Sequence, residues 1–157
     1  MSDDVIATAA EATEADALPR ARVVHTDPDV SSPEGAPLPQ AVANRPVSQK
    51  SPAEWAYERL ILYIQNFEKQ LDADHEVAMG FTGGEAGVLR IEGMGFFDPD
   101  IITFYGTDAT GARTQMIQHV SQLTVMLRAL PKPIAAKPAN RIGFRLAADL
   151  EADNPKT

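Results

Sequence analysis

Residues 51–72 carry the clearest pattern of apolar and polar positions in the chain. Apolar side chains recur there every three or four residues, which is the spacing of one face of an α-helix. The members of this stripe are Trp55, Ala56, Leu60, Ile61, Tyr63, Ile64, Phe67 and Leu71. The pattern places the polar residues, Glu58 and Glu68 among them, on the opposite side. Ser51 and Glu54 fit a capping box, so the sequence predicts an amphipathic helix that begins after Ser51.

Shorter segments after this helix alternate between apolar and small or polar residues, which is typical of β-strands. The pattern is found in residues 75–82, 87–97 and 101–106. A glycine-rich turn at residues 83–87 separates the first two segments. Gly93 and Gly95 interrupt the second segment and predict a bulge where the sheet bends. The chain is therefore expected to form a small, strongly bent antiparallel sheet that covers the helix.

Residues 114–130 are compatible with two different structures. Their apolar members Met116, Val120, Leu123, Leu127 and Leu130 recur at helical spacing. A hairpin-type turn precedes them, however, and two short strands broken near residues 119–122 would also explain the density of apolar residues. We favour strand–turn–strand and keep a helix as the alternative.

The two ends of the chain differ from the middle in composition. Residues 1–50 are acidic and rich in proline, and we expect a disordered tail because they bury too little apolar surface to offset the entropy of ordering. Residues 131–140 predict a Pro-rich linker, and residues 141–146 predict an edge strand or a segment that docks on a partner. This division leaves a folded α+β core at residues 51–130, followed by a linker and short C-terminal segment at residues 131–157.

Composition and charge narrow the possible functions. The 157-residue chain has a formal net charge of −8, and residues 51–130 hold eleven acids against five bases. Nucleic-acid binding normally requires a basic surface, so this acidic core disfavours RNA, although RNA remains possible. There is no cysteine to form disulfides, and the apolar runs are too short to cross a bilayer. The first residues lack the basic and apolar regions of a secretory signal peptide, so the chain is expected to be a cytoplasmic protein that does not associate with membranes.

His119 is the first candidate for a binding residue. Its imidazole could hydrogen-bond to a base, stack on it, or exchange a proton near neutral pH. Gln118 and Gln122 flank it and could contact base edges or the backbone of a second subunit. A polar turn near a subunit contact is the simpler interpretation. Ser121 lies beside His119, but adjacency does not make a catalytic dyad, because a triad also needs a positioned base and an oxyanion hole.

Two acidic groups are the remaining candidates for chemistry. A carboxylate cluster with one histidine, which could hold a divalent metal, consists of Asp72, Asp74, His75 and Glu76. Its spacing matches no calcium loop, so solvated residues at a helix end are the preferred interpretation. Asp98 and Asp100 could act as a paired acid and base, but Pro99 between them favours a turn. We therefore expect no metal, no cofactor and no catalytic residue, and the protein is predicted not to be an enzyme.

The segment GVLRIEGMGFFDPDIITF, residues 87–104, resembles the second and third strands of bacterial Hfq, an Sm-like protein. The shared features are a leading glycine, the apolar–polar alternation, the Phe97–Asp98 pair and the apolar strand that follows. One helix followed by short bent strands is also the layout of that family. The resemblance implies an Sm-like small barrel that assembles into a ring.

Residues 115–119 resemble the family's Gln-Met-Val-Tyr-Lys-His run, one residue shorter. The family uses the Lys-His pair and a nearby aromatic residue to hold uridine-rich RNA inside the ring. His119 matches the family's histidine, whereas Gln118 stands at its lysine position and Ile117 at its tyrosine position. The cationic contact to RNA is therefore absent. The resemblance implies binding through His119, Gln118 and Phe97.

Residues 51–146 as a whole resemble an uncharacterised bacterial domain family with an IQH-SQL stretch and a closing RIGF, for which no activity is established. The candidate binding residues are His119, Gln118, Gln122, Phe97 and Asp98. Taken together, the sequence predicts a non-catalytic interaction module that forms a homo-oligomer or binds a protein partner. An Sm-like RNA-binding ring is the alternative, and an enzyme of unknown type is the second alternative.

Overall fold

The computed structural model describes residues 20–81 and 87–152. Within these residues the chain forms three α-helices and five β-strands. The helices are α1 (Gln40–Ala43), α2 (Pro52–Lys69) and α3 (Ile142–Ala152). The strands are β1 (His75–Phe81), β2 (Val88–Phe97), β3 (Ile101–Thr107), β4 (Arg113–His119) and β5 (Val125–Pro131). All strand pairs are antiparallel, so the predicted α+β class is confirmed.

The sheet has the strand order β4-β3-β2-β1-β5. Strand β2 joins its two halves, because Val88 and Leu89 pair with β1 whereas the strand pairs with β3 from Arg90 onward. The register of the β2–β3 pair shifts between Ile91 and Gly93, which confirms the bulge predicted from the glycines. Among the described strands the sheet does not close, and β4 and β5 form its two edges.

Residues 113–131 form two strands with a 3-10 turn, Val120–Gln122, between them. The strand–turn–strand prediction is confirmed, and the helical alternative is wrong. Strand β4 pairs along its whole length with β3, and β5 pairs in the same way with β1. Of the apolar residues that recur at helical spacing, Met116 of β4 and Leu127 of β5 instead pack against the core from two different strands, and Val120 and Leu123 do so from the connection between them. Pairing with distant strands decides the structure here, and local periodicity does not reveal it.

Helix α2 begins as the sequence predicts. The Ser51 hydroxyl accepts the backbone N–H of Glu54 at 3.0 Å, and Pro52 occupies the first helical turn. Ile61 and Ile64 of this helix are fully buried against the sheet, where Phe104 of β3 is also fully buried. Burial of side chains of this size contributes about 1.5–3 kcal/mol each. These contacts fix the helix on one face of the sheet.

The buried face of α2 is broader than the predicted stripe. Tyr63, placed in that stripe, is 40 % exposed, whereas Glu58 and Glu68 are only 5 % and 2 % exposed. The prediction that both glutamates face solvent is wrong. The reason is that segments preceding and following the core pack on the side of α2 that the sequence pattern leaves to water.

Helix α3 packs against α2 and places Ile142 and Leu146 in the same core. The edge strand predicted at residues 141–146 is therefore wrong, and the folded unit continues beyond residue 130. The Glu68 carboxylate accepts the backbone N–H of Phe144 at 3.1 Å, at the start of α3. A carboxylate in this position satisfies a helix N–H that has no partner within the helix.

Burial raises the pKa of the Glu68 carboxyl above its ordinary value, although hydrogen bonds from the backbone of Gly143 and Phe144 oppose the shift. The folded domain therefore holds a proton at Glu68 more tightly than the unfolded chain does. The stabilising contribution is complete below the unfolded pKa of about 4.3 and is lost as the pH rises through the folded pKa.

Residues 20–50 differ in structure from the disordered tail that the sequence predicts. They include α1 and two 3-10 turns, and Val42 of α1 is 1 % exposed. The Lys50 ammonium forms a buried ion pair with Glu58 at 2.7 Å and lies 4.7 Å from the centre of the Trp55 ring. A few specific contacts thus hold a segment whose composition alone indicates disorder. The rest of that tail, residues 1–19, and most of the predicted glycine turn lie outside the described residues.

Candidate functional site

Three of the predicted site residues lie at one end of the sheet. Ile101 of β3 pairs with Phe97 of β2 on one side and with His119 of β4 on the other. The Phe97 side chain is 77 % exposed, an unusual degree of exposure for a large aromatic residue. Asp98 follows Phe97 directly in the turn between β2 and β3. The structure thus brings an exposed ring, an imidazole and a carboxylate to the same sheet end.

Both nitrogens of the His119 imidazole have partners. Nε2 lies 3.0 Å from the Asp100 carboxylate, and Nδ1 lies 2.7 Å from the Ser121 hydroxyl. Nδ1 also accepts the backbone N–H of Ser121 at 3.1 Å, so in the neutral ring the proton lies on Nε2 and is donated to Asp100. The backbone N–H of Val120 donates to the Asp100 carbonyl at 2.7 Å. Together these bonds fasten the 3-10 turn after β4 to the turn before β3.

Ser121, His119 and Asp100 therefore form a continuous hydrogen-bonded row, in the order that a catalytic triad requires. The row differs from a catalytic arrangement because the Nδ1 lone pair also accepts a backbone N–H. The side chains of His119 and Asp100 are 45 % and 40 % exposed, so water competes for both partners. The geometry is that of a side-chain cap on a turn, which agrees with the simpler interpretation of His119.

Asp98 connects the same sheet end to the start of α2. Its carboxylate accepts the Ser51 hydroxyl at 2.5 Å, and Ser51 is the residue that caps the helix. The backbone N–H of Ala53 donates to the Pro99 carbonyl at 3.0 Å. Asp98 therefore positions the β2–β3 turn against the helix, and its carboxylate is engaged within the domain.

The two glutamines have different surroundings. Gln122 is exposed at the end of the 3-10 turn. Gln118 is half-buried in β4, and its Oε1 atom is buried without a hydrogen-bond partner among the described residues. A buried amide oxygen without a partner is uncommon in a folded domain. Gln118 belongs to β4, which is an edge strand of the sheet.

The feature that the sequence did not identify is the pair of free sheet edges. Each of the edge strands β4 and β5 is seven residues long. Within the described part of the chain no strand pairs with the outer side of either one, so their outward N–H and C=O groups have no strand partner. Ile117 of β4 is 65 % exposed and Met126 of β5 is 57 % exposed. Apolar residues on an unprotected edge are typical of a strand that pairs with another chain.

An apolar cavity of about 320 Å³ adjoins the β5 edge, between this strand and α2. Its lining residues are Leu60, Tyr63, Ile64, Leu123, Val125 and Leu127. This lining is apolar throughout apart from the tyrosine hydroxyl. The β5 edge therefore offers both main-chain hydrogen bonds and an adjoining apolar pocket for side chains of an added strand.

The acidic cluster after α2 divides into separate contacts. The Asp72 carboxylate lies 2.7 Å from Nδ1 of His75, and that contact lowers the pKa of Asp72 below its ordinary range. Glu76 is instead buried, with 7 % of its surface exposed, and its carboxylate accepts a hydrogen bond from the Arg90 guanidinium at 2.7 Å. The expectation that Glu76 is solvated is therefore wrong. In residues 20–81 and 87–152 no group of three or more histidine and acidic side chains is arranged to hold a metal ion.

Comparison with known families identifies one match. Residues 47–145 match the profile described as "Family of unknown function (DUF6173)". The chain belongs to this family. The match spans almost the same residues as the resemblance to an uncharacterised domain family noted from the sequence. No curated protein and no solved structure matches the chain, so the Sm-like resemblance is not confirmed. None of the described helices is long and apolar enough to span a membrane.

Proposed function

We propose that this member of DUF6173 is a non-catalytic interaction module that self-associates by pairing β4 of one copy with β5 of the next. The observation that carries the proposal is the presence of two free edges of equal length, each with an exposed apolar residue: Ile117, the fifth residue of β4, and Met126, the second residue of β5. An edge strand that pairs with another chain gains main-chain hydrogen bonds along its whole length. A second copy of this chain provides the complementary edge.

The two edges are different surfaces, so this contact is head-to-tail. Head-to-tail contacts produce a closed ring when the rotation between copies is suitable, and an open filament otherwise. Gln118, whose Oε1 atom is buried without a partner among the described residues, lies on the β4 side of the contact. The apolar pocket beside β5 would receive side chains from the incoming strand.

The geometry gives less support to RNA binding through the same sheet end. The imidazole at this sheet end, that of His119, already contacts the Asp100 carboxylate. Asp98 contributes a second carboxylate from the same β2–β3 turn. Carboxylates repel phosphate, and the lysine that the Sm-like resemblance would require is replaced by Gln118. A ring is compatible with the proposal, but its ligand is expected to be protein. The cytoplasm remains the expected compartment for this cysteine-free chain.

The test is the native mass of the full-length chain, measured by light scattering over a range of concentrations. We expect an oligomer. Ile117→Lys in β4 and Met126→Lys in β5 should each convert it to a monomer, because a lysine on an edge strand disfavours pairing with another chain. Ile134→Lys is the matched control, since Ile134 is 50 % exposed and lies outside both edge strands. It should leave the mass unchanged.

Two results would contradict this proposal. A chain that is monomeric at every concentration does not self-associate. An oligomer that persists in both lysine variants uses a different surface. The absorbance ratio of the freshly purified protein tests the alternative, since co-purified nucleic acid, together with uridine-oligomer binding at low salt, would favour RNA.

A further inference from the structure

A groove of about 820 Å³ lies between α2 and the segment of residues 20–38 that precedes α1. Hydrogen bonds hold the segment against the helix. The Asn66 amide donates to the Ser31 carbonyl at 2.9 Å, and the Tyr63 hydroxyl donates to the Glu34 carboxylate. The volume lies in the range of small-molecule sites, and Tyr63 is the lining residue that the groove shares with the apolar pocket beside β5.

Three arginines line this groove. Arg20 and Arg22 belong to the N-terminal segment, and Arg59 belongs to α2. None of the three forms a salt bridge with any residue that the structure describes. Glu34 is the one carboxylate in the lining, and Tyr63 already donates to it. In a chain with a net charge of −8, this concentration of positive charge is a local exception.

Arg59 is held in a defined orientation. Its guanidinium carbon lies 4.9 Å from the centre of the Trp55 ring, and its Nε donates to the Trp55 carbonyl at 3.3 Å. Its terminal amino groups have no partner among the described residues. Partial burial lowers the pKa of Arg59, although the residue as a whole remains exposed. Its terminal amino groups are therefore available to an anion in the groove.

We propose that this groove binds a small phosphorylated ligand that carries an aromatic ring, which is the chemistry of a nucleotide. The phosphate oxygens accept hydrogen bonds from Arg20, Arg22 and Arg59, since guanidinium groups match phosphate geometry in a bidentate manner. The ring of the ligand stacks on Tyr63, which is 40 % exposed. Trp55 adds apolar contact at its edge, because cationic groups already lie 4.7 Å and 4.9 Å from the centre of its ring. This site does not require self-association, although Tyr63 also lines the pocket beside β5.

The tryptophan provides a direct measurement, because Trp55 is the single tryptophan of the chain. The full-length protein is titrated with ATP, with pyrophosphate and with adenosine while the tryptophan emission is recorded, and calorimetry checks the affinities. We expect a saturable change with ATP, weaker binding of pyrophosphate and little response to adenosine. Arg22→Glu should weaken ATP binding by roughly tenfold or more, as expected for loss of one charge-assisted hydrogen bond. Lys137→Glu, an equal charge change at an exposed site outside the groove, should leave it unchanged.

Three outcomes would overturn the inference. The absence of saturable binding of both ATP and pyrophosphate removes the site. Equal affinity for pyrophosphate and ATP contradicts the role of the aromatic residues and hence the nucleotide class. ATP binding that is unaffected by Arg22→Glu and by Arg20→Glu places the ligand elsewhere. Circular dichroism of each variant establishes that a loss of binding is not a loss of folding.

Discussion

Gly143 lies where α3 crosses α2, and replacing it with alanine tests whether this crossing holds the C-terminal helix in the domain. A Cβ atom at this position would lie 2.7 Å from the backbone nitrogen of Gln65, 2.8 Å from the Gln65 Cα and 2.6 Å from the Glu68 carboxylate. Two of these atoms belong to the backbone of α2, so a side-chain rotation cannot relieve the contact. The helices must move apart, which also loosens the packing of Ile142.

The size of the effect follows from two opposing contributions. Overpacking of a closely packed site costs about 1–3 kcal/mol. Alanine favours a helix over glycine by up to about 1 kcal/mol, which offsets part of this cost. We therefore expect Gly143→Ala to lower the free energy of unfolding by about 1–2 kcal/mol.

The assay is urea denaturation followed by far-UV circular dichroism. Gly80→Ala in β1 is the matched control, because its Cβ would lie 3.6 Å from the nearest atom, the Cβ of Met126, which is an ordinary contact. This control should change the free energy of unfolding by less than about 0.5 kcal/mol or raise it slightly. Equal unfolding midpoints for the wild type and Gly143→Ala, with equal slopes, would refute the close crossing of α2 and α3.

Three further predictions concern buried charges and one close backbone contact. Because burial raises the pKa of Glu68, the wild type should lose stability relative to Glu68→Gln as the pH rises above about 4.3, as measured in a pH series of thermal melts of both proteins. An unchanged pH dependence would contradict the assignment. Lys50→Met leaves Glu58 buried without its ion pair and should cost about 3–5 kcal/mol in urea denaturation, whereas Lys50→Met combined with Glu58→Leu should recover most of the loss. Gly106→Ala would bring a Cβ to 2.0 Å from the Arg90 carbonyl, so we expect a loss of about 3 kcal/mol or more, and a soluble variant of unchanged melting temperature would disprove the contact.

The site residues illustrate how far the sequence leads toward function. Short motifs point to His119, Phe97 and Asp98. Ile101 pairs with Phe97 and with His119, and Asp98 follows Phe97, so the three residues lie at one sheet end. Their partners could not be predicted, because Asp100 and Ser121 reach the imidazole through turns whose geometry depends on the register of β3 and β4. The free edges of the sheet were not predictable at all, since an edge is defined by which strands are absent beside it.

The local sequence determined the elements whose signals are local. The Ser51 cap depends on contacts within a few residues, and the glycines of the bulge and the alternation in β2 and β3 are visible in the local sequence, so these features are readable from the chain. Composition also determined the acidic charge that disfavours RNA. Tertiary structure decided the rest. Whether residues 114–130 form strands, and whether Glu58 and Glu68 are buried, depends on partners far along the chain, Lys50 and α3 among them, that no local pattern specifies.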